Sequence, residues 1–137
     1  MDEHTCRIIG IIRSCYRQKF GIPRQAGLTP SASAELQLVR PFARREMIQG
    51  LEQFSHLWLL FLFHGVVGDG WQATVRPPRL GGRKRIGVFA TRSPHRPNHI
   101  GLSAVRLLGI ESDGDGVTLA LGGVDLLDGT PVLDIKP

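Results

Sequence analysis

The chain has 137 residues, of which 42% are hydrophobic and 21% charged, a composition typical of one globular domain rather than of a disordered or fibrous protein. Its longest uninterrupted apolar run, Leu57 to Phe63, is far shorter than the roughly 20 residues of a transmembrane helix, so we expect no membrane span. The formal net charge of +5 favours anionic partners over cationic ones.

The N-terminus and the cysteines indicate the compartment. The opening residues, MDEHTCRIIG, include acids where a signal peptide has a basic region, so we do not expect secretion. Cys6 and Cys15 are too few for a disulfide framework, and they lack the second pair of a zinc knuckle. We therefore expect a cytoplasmic protein with two reduced cysteines in the core or near the surface.

Two strands are predicted before the first helix. Thr5 to Arg13 is rich in isoleucine and predicts a strand, and Ala34 to Val39 alternates polar and apolar residues as a half-buried strand does. The connection between them, from Ser14 to Pro30, is interrupted by glycines and prolines.

A short helix and a long apolar strand follow. Apolar residues recur at helical spacing after Pro41, which predicts a helix entered at that proline and interrupted or ended near Gly50. His56 to Val67 is the most apolar segment and predicts a central strand of a sheet.

The second half of the chain contains several short strands separated by turns. Turns are predicted at Asp113–Gly116 and Asp128–Pro131. Many short strands, little helix and no βαβ alternation predict a mainly β barrel or sandwich. The predicted strands are Trp71–Val75, Arg85–Thr91, His99–Ile110, Val117–Val124 and Val132–Ile135.

Charge is distributed unevenly along the chain. Residues 70 to 110 contain no Asp or Glu but collect eight Arg and Lys, whereas all twelve acids lie outside this window. Such a window predicts a positive surface suited to nucleic acid. A merely solubilising face is the alternative, although solubility is usually served by mixed charges. The predicted phosphate contacts are Arg76, Arg79, Arg83, Lys84, Arg85 and Arg96.

The stretch GVFATRSPHRPNHIGLSAV (residues 87–105) places a basic loop between two strand-like pieces. His95 and His99 are four residues apart, as helical zinc ligands often are, but Pro94 and Pro97 make a helix improbable there. No cysteine or acid stands nearby as a third ligand, so we expect no metal site. The two prolines are expected to stiffen the loop, with Arg96 and the histidines projecting from it.

Three other residues are candidates for either a structural role or a ligand-binding role. His64 either caps a core strand with a partly buried ring or meets a ligand at a barrel mouth. Asp128 precedes Gly129, which is typical of a turn residue. Asp125 follows a glycine-rich strand end, where one carboxylate could hold the hydroxyls or amine of a ligand.

Five blocks, in order, carry a resemblance that covers nearly the whole chain. The sequence resembles the TsaA/TrmO-like family, the tRNA threonylcarbamoyladenosine methyltransferases. The blocks are KFGIPRQAGL (19–28), GLEQFSHLWLLFLFH (50–64), TVRPPRLGG (74–82), GVFATRSPHRPNHIGLS (87–103) and DLLDGTPVLDIKP (125–137).

The resemblance implies a single-domain β-barrel with one or two short helices, spanning residues 1–137, that uses S-adenosylmethionine. It also implies a homodimer that methylates the exocyclic nitrogen of threonylcarbamoyladenosine beside the anticodon of threonine tRNA. By the matching segments, the implied cofactor residues are Pro23, Arg24, Gln25, Phe63, His64, Arg92, Leu102, Asp125, Leu126, Leu127 and Asp128.

Two departures from the family pattern stand out. The family commonly has RPNPIG or RPNPLG where this chain has RPNHIG, with His99 at the differing position. Family members also continue past DIKP into a small region that helps to hold tRNA. We therefore expect that region to be absent from this chain, whose last residue is Pro137.

The residue types suggest roles in methyl transfer. Arg24 or Arg92 could pair with the cofactor carboxylate, and the two aspartates with its hydroxyls or amine. Phe63 and Leu102 would line an apolar adenine slot. A neutral imidazole can take a proton near neutral pH, so His64 is the first candidate base, with His95 or His99 behind it.

Two other functions stay open from the sequence. A non-catalytic RNA-binding barrel needs only the basic window, and it would bind RNA without any affinity for the cofactor. A small-ligand carrier would use the barrel mouth alone and ignore RNA.

Overall fold

The computed structural model describes residues 2–16, 33–78, 81–114 and 116–137. Its residues form two compact units, one of Met1–Phe61 with Leu102–Pro137 and the other of Leu62–Gly101. The strands are β1 (Gly10–Ser14), β2 (Ser33–Leu38), β3 (His56–Leu62), β4 (Thr74–Val75), β5 (Ile86–Gly87), β6 (Ile100–Asp113), β7 (Gly116–Gly122) and β8 (Pro131–Lys136). The α-helix α1 covers Arg45–Ile48, and 3-10 turns cover Leu51–Gln53, His64–Asp69, Val88–Ala90 and Pro97–His99.

Six of the strands close into a barrel in the order β1-β2-β7-β6-β3-β8, which confirms the predicted mainly β barrel. Register pairs align apolar residues on one face of successive strands. Ile12 lies opposite Leu36, and Leu36 lies opposite Leu119. Because side chains alternate along a strand, these residues all point inward and form one core.

The barrel core is aliphatic. Its largest fully buried side chains are Ile12, Leu36, Leu57, Leu59, Val105, Leu119, Leu121, Val124 and Val132. Gly10 lies where β1 approaches β2 closely, since a Cβ at this position would stand 2.7 Å from Leu36 Cδ1 and 2.9 Å from the Gln37 carbonyl oxygen. Only glycine fits at that crossing without displacing backbone.

The long apolar strand is shorter than predicted. It ends at Leu62 instead of Val67, and the 3-10 turn His64–Asp69 follows it. The strand also has two different faces, because Leu57 and Leu59 are buried whereas Trp58 is 43% exposed. A closed barrel has one interior, so a strand paired on both sides still presents every second residue outward.

The strands predicted in the unit Leu62–Gly101 are also shorter. The predicted strands Trp71–Val75 and Arg85–Thr91 shrink to β4 and β5, which pair with each other. After β5 the chain enters a 3-10 turn, in which the Val88 carbonyl accepts hydrogen bonds from the Thr91 amide and hydroxyl. The threonine side chain competes here with a continuing strand ladder.

The first strand and the helix differ from prediction at their starts. β1 begins at Gly10 rather than Thr5. Gly50, with φ of 90°, separates α1 from the following 3-10 turn and confirms the predicted interruption, but the helix begins at Arg45 and not at Pro41. A hydrogen bond from its own backbone and the neighbouring Arg44 guanidinium lower the pKa of Glu46 in the first helical turn.

The C-terminal elements match prediction closely. β6, β7 and β8 correspond to the predicted strands within a few residues, and β6 and β7 are joined by the predicted turn after Asp113. In the described ranges no helix is long and apolar enough to span a membrane. Cys6 and Cys15 are exposed free thiols, which places both at the surface.

Candidate functional site

The segment after β7 presents a half-buried carboxylate in the barrel unit. Ser103, a buried residue of β6, donates its hydroxyl to Asp125 Oδ1 at 2.8 Å. Gly123, with φ of 68°, turns the chain out of β7 just before this aspartate. The serine orients the carboxylate, whose two oxygens together offer about four acceptor sites for hydroxyl or ammonium donors.

Asp128 is engaged with the end of β1. Its Oδ1 accepts the Ser14 amide at 3.0 Å, and the Ser14 hydroxyl donates to the Leu126 carbonyl at 2.7 Å. The Gly129 amide donates to the Ile12 carbonyl at 2.8 Å. These bonds confirm Asp128 as a turn residue that fastens the segment to β1.

The three leucines implied as cofactor contacts have different surroundings. Leu102 is 39% exposed on β6, and Leu127 is half-buried. Leu126 is 3% exposed, so its side chain belongs to the core and leaves only its backbone for a ligand. Ser14 and Ser103 were not predicted; the signal for Ser103 was a hydroxyl on an inward-facing strand position, which needs a partner.

A groove of about 480 Å³ lies on the barrel unit, with Arg13, Glu35, Leu108 and Asp128 in its lining. Arg13 lies opposite Glu35 in the strand register, and Glu35 lies opposite Ala120, so the groove follows the outer face of the wall. Asp128 is the one implied cofactor residue among the described lining residues. The groove therefore does not gather the implied cofactor set.

In the unit Leu62–Gly101, the basic loop is braced by its own side chains. One nitrogen of the Arg96 guanidinium donates to the Thr91 carbonyl at 2.8 Å and to the Ser93 carbonyl at 3.3 Å. The Ser93 amide donates to Thr91 Oγ1, and the His95 amide donates to Ser93 Oγ. Together with two prolines, these bonds hold the loop in one conformation.

His99 does not project toward solvent as predicted. It is 8% exposed, and its Nδ1 lies 2.8 Å from the Pro94 carbonyl oxygen. Because a carbonyl only accepts, Nδ1 bears the hydrogen. Asn98 and His99 have φ of 67° and 51°, which turns the ring back into the loop. His99 is thus a brace of the loop, and its burial argues against a role as a base.

The segment that carries Phe63 and His64 is hydrogen-bonded to His99. The Phe63 amide donates to the His99 carbonyl at 2.8 Å. The Val66 amide donates to the Phe63 carbonyl, and Val66 is buried, so the 3-10 turn is anchored. His64 opens this turn and is exposed, which fits the ligand interpretation better than a partly buried strand cap.

The predicted phosphate contacts are of two kinds: some side chains donate hydrogen bonds to the protein itself, and others make no bond to the described residues. Arg85 donates to the carbonyl and the hydroxyl of Thr74 at 3.1 and 3.0 Å, joining β5 to β4. Arg76, Arg83 and Lys84 are exposed and make no hydrogen bond or ion pair to the described residues. Arg92 is exposed as well.

Some predicted site residues cannot be placed. Pro23, Arg24, Gln25 and Arg79 lie outside the described residues. Within the described ranges, no three His, Cys, Asp or Glu side chains gather where they could hold a metal ion.

Comparison with known proteins identifies relatives along the whole chain. A tRNA (adenine(37)-N6)-methyltransferase of Escherichia coli (strain K12) is 57% identical over 137 residues, covering 100% of this chain and 58% of the relative. A putative S-adenosylmethionine-dependent methyltransferase RcsF of Pseudomonas aeruginosa is 58% identical over 134 residues, covering 98% and 56%. The human tRNA (adenine(37)-N6)-methyltransferase is 47% identical over 131 residues, covering 94% and 29%. The chain thus spans little more than half of the two bacterial relatives.

Solved structures agree with these relatives. A crystal structure of TrmO matches with a TM-score of 0.81 and 52% identity, covering 98% of this chain and 57% of that one. TrmO from Pseudomonas aeruginosa matches with a TM-score of 0.80 and 51% identity, covering 98% and 55%. The family model described as the tRNA-methyltransferase O N-terminal domain matches residues 11–137. The chain belongs to this family, the tRNA-methyltransferase O N-terminal domain.

Proposed function

We propose that the chain transfers a methyl group from S-adenosylmethionine to the exocyclic N6 nitrogen of threonylcarbamoyladenosine beside the anticodon of threonine tRNA. The observation that carries this proposal is 57% identity, along the entire chain, to a protein named tRNA (adenine(37)-N6)-methyltransferase. The P. aeruginosa relative, named as a putative S-adenosylmethionine-dependent methyltransferase, supports the methyl donor. We take residues 1–137 as the domain that performs the chemistry.

The described residues suit the donor chemically. When bound, S-adenosylmethionine supplies a methyl group on a sulfonium, and the protein's task is to hold donor and acceptor in line. Asp125, oriented by Ser103, is suited to accept hydrogen bonds from hydroxyl or ammonium groups. Leu102 offers exposed apolar surface for an adenine ring, and Arg92 is an exposed cation for a carboxylate.

We further propose His64 as the group that takes the proton from the acceptor nitrogen. That nitrogen bears a carbonyl, so it is a poor nucleophile until its proton leaves. His64 is exposed on an anchored turn, and its ring makes no hydrogen bond to the described residues. It is therefore available to hold a proton at an imidazole nitrogen.

The acid-free window supports RNA as the substrate. Arg76, Arg83 and Lys84 are exposed cations without partners among the described residues, so phosphates would meet them without breaking internal bonds. Arg85 and Arg96 already brace the backbone and would contribute charge more than contacts.

We propose that the chain acts as a homodimer in the cytoplasm. Trp58 and Leu108 are large apolar residues exposed in the barrel unit, which favours an interface there. Exposed free thiols at Cys6 and Cys15 suit a reducing compartment. Sedimentation of the purified chain tests the dimer directly.

Two binding measurements separate this function from its alternatives. Calorimetry measures affinity for S-adenosylmethionine, and filter binding measures affinity for tRNA. The proposal requires both. RNA binding without cofactor binding would instead support a non-catalytic RNA-binding barrel, and cofactor binding without RNA binding would support a small-ligand carrier.

A further inference from the structure

Two aromatic rings in the unit Leu62–Gly101 extend into solvent. Phe89 is 80% exposed and Trp71 is 63% exposed. Aromatic side chains are enriched at contact surfaces. Neither ring has a role in the site described above.

Phe89 is held outward by its own turn. It is the middle residue of the 3-10 turn Val88–Ala90, and its neighbour Val88 is buried. The Val88 carbonyl accepts the Thr91 amide at 3.1 Å and the Thr91 hydroxyl at 2.7 Å. The backbone on both sides of the ring is therefore fixed, and the ring is presented in a preorganised position.

Trp71 belongs to the same hydrogen-bonded framework. The next residue, Gln72, donates its amide to the His95 carbonyl at 3.0 Å. The Val88 amide donates to the Ala73 carbonyl at 3.0 Å. The segment after Trp71 is thus fastened both to the basic loop and to the turn that bears Phe89.

The charge of the segment that bears these rings favours RNA over another protein. No acid occurs from residue 70 to residue 110, and Arg76, Arg83 and Lys84 are exposed without described partners. Two copies of such a surface would repel each other across an isologous interface. Exposed aromatic rings and unengaged cations on one segment are typical of proteins that bind single-stranded RNA, because rings stack on bases while cations meet phosphates.

We propose that Phe89 and Trp71 are stacking rings for unpaired bases of the RNA substrate. The proposal rests on the proposed function for the identity of that RNA, an anticodon loop. The contact between ring and base does not itself require methyl transfer, so the two proposals can fail separately.

The test measures binding of the 137-residue chain to an anticodon stem-loop of threonine tRNA that carries threonylcarbamoyladenosine. Phe89→Ala is expected to weaken affinity about 10- to 100-fold, since loss of one base–ring stack has that effect. Phe89→Leu keeps an apolar side chain but should weaken binding similarly, whereas Phe89→Trp should retain it. Phe54→Ala removes an exposed ring of the barrel unit and serves as the matched control, with no loss expected.

Tryptophan fluorescence supplies a second readout. The chain has two tryptophans, so Trp58→Phe leaves Trp71 as the sole emitter. Stacking predicts that saturating RNA quenches this emission, while S-adenosylmethionine alone leaves it unchanged.

Several outcomes would overturn the stacking proposal. These are unchanged RNA affinity in Phe89→Ala, rescue by Phe89→Leu, absence of RNA binding by the wild-type chain, or a loss confined to cofactor affinity or to self-association. Methylation of the same stem-loop by the wild-type chain is scored in parallel. Ring-dependent binding without methylation would leave stacking standing and refute the proposed function. Methylation by the wild-type chain together with unchanged RNA affinity in Phe89→Ala would refute stacking and leave the proposed function standing.

Discussion

At the residue scale, the two aspartates of the segment DLLD differ in the hydrogen-bond donors that their carboxylates accept from. Asp125 accepts the Ser103 hydroxyl, whereas Asp128 accepts a backbone amide of β1 and sits in the turn that returns the chain to β8. A carboxylate committed to a backbone donor stabilises the fold, and a half-buried one oriented by a side-chain hydroxyl suits a ligand.

The aspartates should therefore respond differently to substitution. Asp128→Ala is expected to lower the free energy of unfolding by about 1–2 kcal/mol, because the Ser14 amide loses its acceptor. Asp125→Asn keeps an acceptor for Ser103 and should weaken S-adenosylmethionine binding by roughly 10- to 100-fold. Urea unfolding and calorimetry measure the two effects. Equal losses of cofactor affinity in both variants would refute the distinction.

His64 is the second residue with a separable role. His64→Ala should lower the methyl-transfer rate by roughly 100-fold or more at saturating tRNA and cofactor, since a positioned base contributes that much. Rates are measured in single turnovers, so that slow product release does not hide the effect. His56→Ala, at another exposed histidine, is the control. Full activity in His64→Ala would rule out the general base.

At the element scale, the basic loop is a rigid part rather than a flexible connection. His99 donates its ring hydrogen to the Pro94 carbonyl, and its own carbonyl accepts the Phe63 amide. One buried residue thereby joins the loop to the segment that carries His64. His99 thus has a structural role.

Loss of this brace should loosen the loop. His99→Ala leaves the Pro94 carbonyl without its donor and is expected to cost about 1–3 kcal/mol of stability. Amide hydrogen exchange should rise at Phe63 and Gln72, whose donors bond to the His99 and His95 carbonyls. His95→Ala changes a half-buried histidine for which no ring hydrogen bond is seen among the described residues and is the matched control. Identical exchange in both variants would contradict the brace.

The exposed cations that make no bond to the described residues, Arg76, Arg83 and Lys84, also have a testable role. Arg83→Glu combined with Lys84→Glu should weaken tRNA binding and flatten its dependence on salt, because fewer counterions are released. Arg85 is left intact since it braces β4 against β5. Affinity for S-adenosylmethionine should not change. Reversal of Arg44 and Arg45, outside the window, is the control; an equal loss of tRNA binding there would show a general charge effect.

At the scale of the whole molecule, periodicity and turn residues were enough to predict most of the barrel. Alternation in β2 and the glycine turns around β7 have direct local causes, and they were predicted within a few residues. The predicted strand bounds and faces were wrong where a side-chain hydrogen bond or the closure of the barrel outweighed the local hydrophobic pattern. The Thr91 hydroxyl bonds to the Val88 carbonyl in the 3-10 turn that follows β5, where a continuing strand was predicted. Closure of the barrel gives β3 an outward face that its apolar sequence does not suggest.

The candidate site was less predictable than the fold. The choice of Asp125 follows from residue type, but its partner Ser103 lies 22 positions away in sequence and is brought near by strand pairing. The inward turn of His99 depends on two successive residues with positive φ, a backbone conformation that is uncommon even for Asn and His. Such contacts depend on tertiary structure, so a single sequence does not reveal them.

Mass spectrometry of nucleosides from threonine tRNA tests the central claim most directly. The tRNA, bearing threonylcarbamoyladenosine without a methyl group, is incubated with the chain and S-adenosylmethionine carrying a trideuterated methyl. The account predicts that the threonylcarbamoyladenosine peak falls and that a product heavier by one trideuteromethyl group in place of a hydrogen appears, with the label on N6. An unchanged threonylcarbamoyladenosine peak, under conditions where the chain binds both cofactor and tRNA, would contradict it.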